Sequence, residues 1–190
     1  MRNVVVSEFV TLDGVFEHPE WSIPYHTFEH TEQMVFKFAE LRDADALLLG
    51  RTTYEGFADA WPQMADQMGE FGAMMNSYPK YVASTTLKTA TWNASVIKGD
   101  LATEIRALKG LPGKDILVLG SGTLIQALRQ HDLIDTYRLM IFPVVVGRGR
   151  RLFDEAIPAT LQLTEMKAYD SGVVALTYAR AATDERSDQD

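Results

Sequence analysis

The chain has 190 residues, 46% of them hydrophobic and 23% charged, which suits one globular domain with a sizeable core and not a disordered or fibrous chain. A formal net charge of -8 runs against nucleic-acid binding, because neutralising phosphates needs a basic face. The chain has no cysteine, which excludes disulfides, thiolate metal sites, Cys nucleophiles and iron–sulfur clusters and fits a cytoplasmic protein.

The first residues carry Glu8 and Asp13 where a secretory leader would be continuously apolar, so no signal peptide is expected, and no run reaches membrane-spanning length. Val4-Val5-Val6 and Phe9-Val10 predict an opening strand that ends at Asp13-Gly14, a chain-bending dipeptide. From Val15 to about Thr31 a long loop with Trp21, Tyr25 and three His reads as an active-site cover. The segment from Thr31 to Arg42 predicts a helix with Met34, Val35, Phe38 and Leu41 facing the core.

Three short apolar runs follow, at Ala46–Leu49, Tyr81–Ala83 and Ile116–Leu119, of the kind found in strands buried on both faces. They stop at Gly50, Ser84 and Gly120, and the first and third lead into helical segments. This alternation predicts an α/β fold with a mostly parallel central sheet flanked by helices. A long strand pattern from Thr136 to Val146, broken by Pro143, comes next. Strands near Leu161–Ala168 and Val173–Tyr178, joined by Asp170-Ser171-Gly172, predict a closing antiparallel hairpin. One domain over 1–180 is expected. The last ten residues, 181–190, hold four acidic side chains against Arg186 and read as a disordered acidic tail.

Ligands of open α/β sheets bind outside the carboxyl ends of the strands, where helix N-termini offer free N–H groups to anions. Gly50-Arg51-Thr52-Thr53, Ser84-Thr85-Thr86 and Gly120-Ser121-Gly122-Thr123 place glycine, hydroxyl and guanidinium donors at such ends, a set suited to a dinucleotide phosphate. Each alone also makes an ordinary turn or cap. A dinucleotide-binding G-x-G-x-x-G fails because Ile125 stands at its third glycine, and a P-loop fails because Asp115 stands where Ser or Thr is required. His26 and His30, with His18 nearby, lack a third ligand and an HExxH frame, so no metal is expected.

Ser7 with Leu12-Asp13-Gly14, then Leu48–Glu55, Ala83–Leu87, Leu117–Leu124, Phe142–Gly149 and Arg151-Leu152-Phe153 together carry a resemblance by their order and spacing. From Val4 to about Tyr178 the chain resembles the dihydrofolate-reductase-like family that includes the C-terminal reductase domain of the bifunctional riboflavin-biosynthesis deaminase-reductase. The resemblance implies a mixed sheet of about eight strands with NADPH laid across its carboxyl ends. It assigns Gly50, Arg51, Thr52 and Thr53 to the pyrophosphate and 2′-phosphate region, and Ser84 and Thr85 to the adenosine. It assigns Gly120, Ser121, Gly122, Thr123 and Leu124 to the pyrophosphate and nicotinamide, and Asp13, Gly14 and Val15 to a loop over the nicotinamide.

The expected activity is hydride transfer from NADPH to a small planar heterocyclic or ribosylated-pyrimidine-like substrate, with Asp13 the candidate catalytic polar group and a turn residue as its alternative. The other class is a nucleotide-binding regulatory protein that keeps the fold without catalysis. A pterin-binding carboxylate has two candidates, Glu29 and Glu32. Trp21, Phe28 and Tyr25 either stack on a flat ligand or pack the loop down. Arg148, Arg150 and Arg151 read as a basic strand edge, with an anion contact as the alternative. An apolar edge at Met140 to Val146 suggests a homodimer.

Overall fold

The computed structural model describes residues 1–25, 32–153 and 157–181. The expected tail beyond residue 181, and His26, Phe28, Glu29 and His30, lie outside the described residues. The elements run β1 (Val4–Thr11), a 3-10 helix (Pro19–Tyr25), α1 (Glu32–Asp43), β2 (Ala44–Gly50), α2 (Arg51–Met64), α3 (Gly69–Ser77), β3 (Lys80–Ala83) and β4 (Ala94–Ile97). They continue with α4 (Leu101–Gly110), β5 (Asp115–Leu119), α5 (Gly122–Gln130), β6 (Thr136–Phe142), β7 (Leu161–Ala168) and β8 (Val174–Arg180). No helix among the described residues is long and apolar enough to cross a membrane.

All eight strands form one sheet in the order β4-β3-β2-β5-β1-β6-β8-β7. Every pairing from β4 to β6 is parallel, and β8 pairs antiparallel with both β6 and β7. The three short apolar runs lie in the interior of the parallel half, as their lack of polar alternation requires. Successive side chains of each run go to opposite faces. Val5, Leu47, Leu49 and Leu117 pack with Leu41 of α1, Tyr54 of α2 and Met75 of α3. Val4, Val6, Leu48, Ile116 and Val118 pack with Ile105 of α4 and Ile125 and Leu128 of α5. The sheet is therefore covered by α1 to α3 on one face and by α4 and α5 on the other.

This arrangement decides where a ligand can sit. From β1 the chain crosses β5 by way of α1 to reach β2, whereas from β5 it crosses β1 by way of α5 to reach β6. Neighbouring strands whose connections leave over opposite faces open a crevice between their carboxyl ends. Here that crevice lies between β1 and β5.

Three expectations are corrected. α1 does not bury Met34 and Val35, which are 37% and 69% exposed; it buries Gln33, Glu40 and Leu41. Its inward surface is mixed because it lies over Ser7 and the Ser171 turn, whose hydroxyls take up its polar side chains. The stretch from Met140 is not a sheet edge: β6 lies between β1 and β8, and Met140 and Phe142 are buried. The free edge on that side is β7, with Leu163 and Met166 exposed. Finally, the Arg148–Arg151 segment is not part of a strand edge, since Arg151 makes only an isolated bridge to Val15.

Because Ile125 is fully buried under the sheet, Ile125→Ala is expected to cost about 2–5 kcal/mol. Urea unfolding should read this as a lower midpoint at unchanged slope; an unaltered midpoint would contradict this packing.

Candidate active site

The pairing of β1 with β5 ends at Ser7↔Leu119, while β1 stays paired with β6 as far as Thr11↔Phe142. From Glu8 onward β1 has lost one neighbour. β5 turns away through Gly120 and Ser121, both left-handed at φ 56° and 71°. That conformation is costly for serine, but the serine side chain is used twice. Its Oγ accepts the Gly50 N–H at 2.9 Å and donates to Leu119 O at 3.0 Å. Gly120 is pressed against Thr53, whose side chain would lie 3.2 Å from any added Cβ. The Gly50 and Gly120 turns are thus stitched together, and the N-termini of α2 and α5 open on one rim. The first N–H groups of each helix have no partner within the helix and carry its positive dipole end.

The other expected cofactor residues fall around this pair. Arg51 and Thr52 are exposed. Arg51 Nε donates to Glu55 at 2.7 Å and a second guanidinium nitrogen donates to Thr86 Oγ1 at 2.7 Å, which ties α2 to the turn after β3. Ser84 Oγ is occupied by the N–H groups of Thr86 and Leu87, and Thr85 is exposed beside it. Thr123 accepts from Arg150 at 3.1 Å. Leu124 is a core residue, so its side chain faces inward. An added Cβ at Gly122 would meet the Phe16 ring at 2.3 Å, so Phe16 covers the start of α5. Sequence reasoning missed Phe16, and it left Arg150 as an alternative that the structure places at the α5 N-terminus.

Asp13, Gly14 and Val15 form the first bend of the covering loop. The Asp13 carboxylate accepts from Thr11 Oγ at 2.6 Å, Gly147 N at 2.8 Å and Val146 N at 3.3 Å. The Thr11 hydroxyl, followed by the Gly147 N–H, holds it near 2, so it stays an ionised acceptor at neutral pH. Its partners lie in the loop after β6, and Arg151 Nε donates to its carbonyl at 2.9 Å. Gly14 is left-handed at φ 86°, and Leu152 N–H donates to its carbonyl at 3.0 Å. Val15 is buried. In this geometry Asp13 ties the first loop to the loop after β6.

A second polar group lies under α1, alongside the parting strands. Ser7 Oγ donates to Glu40 Oε2 at 2.7 Å, and Lys37 Nζ lies 2.6 Å from the same oxygen and also donates to Ser7. Gln33 Nε2 donates to Ser171 Oγ at 2.7 Å. Three buried polar atoms here, Gln33 Oε1, Glu40 Oε1 and the Tyr169 hydroxyl, and Glu8 Oε1 across β1, have no partner among the described residues. Such atoms cost stability unless something pairs with them. Glu8 is buried on the opposite face of β1, with the apolar Val4, Val6 and Val10. Burial pushes it up to about 8; Glu40 adds to the rise, while Lys37 and the Gly120 N–H oppose it.

None of these residues stood out from periodicity, although Glu8 could have: a charged residue inside a strand whose same-face neighbours, Val6 and Val10, are both apolar is a signal in itself. Glu32, one candidate for a pterin carboxylate, instead pairs with Lys167 at 3.2 Å on the surface. Trp21 and Tyr25 meet the Phe142 ring edge-on, with centroids 5.4 and 5.7 Å away. They pack the loop onto the core.

Comparison with known proteins places the chain in a family. The family model for the RibD C-terminal domain matches residues 2–175. The uncharacterized Bacillus subtilis protein YyaP is 30% identical over 184 residues, 93% of this chain and 94% of its own. Among solved structures, a Shewanella sp. PV-4 protein assigned provisionally to riboflavin biosynthesis superposes with a TM-score of 0.76 at 23% identity, over 96% of this chain and all of its own. A Thermotoga maritima diaminohydroxyphosphoribosylaminopyrimidine deaminase/5-amino-6-(5-phosphoribosylamino)uracil reductase superposes with a TM-score of 0.62 at 17% identity. The match spans 95% of this chain and 57% of that protein.

Glu8 sets a pH dependence of stability whose sign is fixed. Its ordinary value is 4.5 and its folded value about 8, so between these the native protein holds a proton that the unfolded chain has released. Stability falls as pH rises through that interval. Glu8→Gln should therefore gain on the natural protein progressively from about pH 4.5 to about pH 8 and hold a constant advantage above. Urea unfolding across this range checks it, and a difference that does not vary with pH would count against a buried protonated Glu8.

Proposed function

Because the chain belongs to the RibD C-terminal domain family, we propose that it is an NADPH-dependent reductase acting on a small planar heterocycle or ribosylated pyrimidine. The reductase named for the Thermotoga maritima structural neighbour supports the substrate class. The observation that carries the reading is the stitched pair of helix N-termini on the crevice between β1 and β5, flanked by Arg51 and Arg150.

The residues present fit such a cofactor. Two helix starts and the Gly120 and Gly122 backbone suit a pyrophosphate, and the guanidinium of Arg51, at the exposed outer end of the rim, suits the 2′-phosphate that distinguishes NADPH from NADH. Gly50, Thr52, Thr53, Ser121, Thr123 and the Leu124 backbone complete the cradle. Ser84 and Thr85 flank the adenosine. When bound, the reduced nicotinamide supplies the hydride. The chain's own part is to position and to exclude water: Phe16 and Val15 cover the crevice, and Asp13 holds that cover to the Val146-Gly147 turn. Lys37 Nζ, paired with Glu40 and Ser7, lies beside the place where β1 and β5 part. It is the proposed source for the proton that accompanies hydride addition to a C=N or C=O bond.

Titration of the nicotinamide fluorescence should give tighter binding of NADPH than NADH by roughly tenfold or more, the range of a charge-assisted contact. Arg51→Ala should remove most of that preference while leaving NADH affinity nearly unchanged. Binding of neither nucleotide would overturn the assignment. NADPH binding without oxidation by dihydrofolate or pyrimidine-ribose substrates would favour a regulatory protein instead.

For the partner, the proposal is a second copy of this chain, joined along β7, the edge that exposes Leu163 and Met166. Sedimentation at micromolar concentration is expected to give a dimer, and a monomer alone would refute it.

A further inference from the structure

Glu8 stands one residue beyond the last pair between β1 and β5, at the inner end of the crevice, and it is only 6% exposed. The Gly120 N–H is directed at its carboxyl group, and its Oε1 has no partner among the described residues. The charged groups acting on it are Lys37 and Glu40 of α1. On the β5–α5 side, Arg150 reaches Thr123 and the start of α5. Retaining a buried acid with one unsatisfied oxygen is costly to the free protein. A residue maintained at such a cost beside an open strand end is expected to meet a ligand there.

We propose that Glu8 is a specificity-determining residue for the nicotinamide end of the cofactor, its unpaired carboxyl oxygen being the hydrogen-bonding partner of the carboxamide. The proposal rests on the reading of the crevice as an NADPH site. Its chemistry follows from what each side offers. Burial keeps Glu8 protonated at neutral pH, and a neutral carboxylic acid presents a donor and an acceptor along one edge. A primary carboxamide presents the same two in the complementary order, and the nicotinamide ring carries no other hydrogen-bonding group. The phosphates are poor alternatives, since anions gain more from the helix N-termini and Arg51 than from an acid in an apolar wall. A neutral pair also avoids placing a buried negative charge beside a polyanion.

The test is a binding cycle that needs no turnover. Reduced NADP and its reduced 3-acetylpyridine analogue, in which a methyl group replaces the amide nitrogen, are titrated by fluorescence or calorimetry into the natural protein, Glu8→Gln and Glu8→Leu. The natural protein should favour the carboxamide by roughly three- to tenfold, the range of one hydrogen bond. Glu8→Gln, whose amide keeps a donor and an acceptor, should retain that preference, and Glu8→Leu should bind both ligands alike. The coupling between the two changes isolates this contact from other effects of either. Equal binding of the two ligands by the natural protein overturns the proposal without reference to any variant, and so does an undiminished preference in Glu8→Leu. A natural protein that binds neither NADPH nor NADH instead overturns the cofactor reading. NADPH binding that depends on Arg51 but not on Glu8 leaves that reading standing and removes only the role of Glu8.

Discussion

Two strands that pair for four residues and then separate impose most of what is unusual in this molecule. As long as β1 and β5 run together, from Val4↔Ile116 to Ser7↔Leu119, their backbones satisfy each other and their side chains can be apolar on both faces. Once they part, backbone groups and side chains that the ladder would have buried come to the rim of a crevice. The chain meets this with polar devices instead of more core: a left-handed serine whose hydroxyl ties in the neighbouring turn, and an aspartate that gathers the N–H groups of a distant loop. Each satisfies backbone groups that would otherwise be lost from pairing.

The same parting explains why α1 violates the simplest rule of helix burial. A helix lying wholly on apolar strands would turn its Met and Val side chains inward. This one crosses Ser7, so Glu40 and Lys37 are drawn to the sheet and Met34 and Val35 are left outside. Burying an ion pair and several half-satisfied polar atoms gives up stability compared with an apolar seam. The concession is local, because the α4 and α5 face and the α2 and α3 region pack conventional aliphatic and aromatic cores. Stability is held away from the crevice, and polar groups are concentrated beside it.

This division governs what could be read from sequence. The strands Leu47–Leu49 and Leu117–Leu119 were legible because two-sided burial leaves no polar alternation, and the closing hairpin because Asp170-Ser171-Gly172 has turn chemistry of its own. The turns at Gly50 and Gly120 were legible as helix starts. The four-residue β4 was not, since Ala94-Ser95-Val96-Ile97 is too short to show a period and pairs only with β3. The inward face of α1 was misread for a stronger reason. Periodicity identifies a core-facing stripe by its apolar residues, so a helix whose inner face serves a polar site presents the opposite stripe as its apparent core. Arg150 was ambiguous in a similar way, because its neighbour across space, Thr123, is 27 positions away in the chain.

Charge presents the last constraint. A chain of net charge -8 offers little long-range attraction to a phosphorylated ligand, so an anion site on it must be built from short-range donors. The rim answers that requirement with backbone N–H groups, which add no formal charge, and with two guanidinium groups that are already engaged, Arg51 with Glu55 and Thr86, and Arg150 with Thr123. An arginine already held in place by protein partners loses less side-chain entropy when an anion arrives than a free one would. Buried Glu8, at the inner end of the same crevice, fits this electrostatic scheme only as the neutral acid; ionised, it would oppose the donors gathered around it. Depth in the crevice therefore sorts the chemistry, with cationic and backbone donors at the mouth and hydrogen bonds between neutral groups at the base.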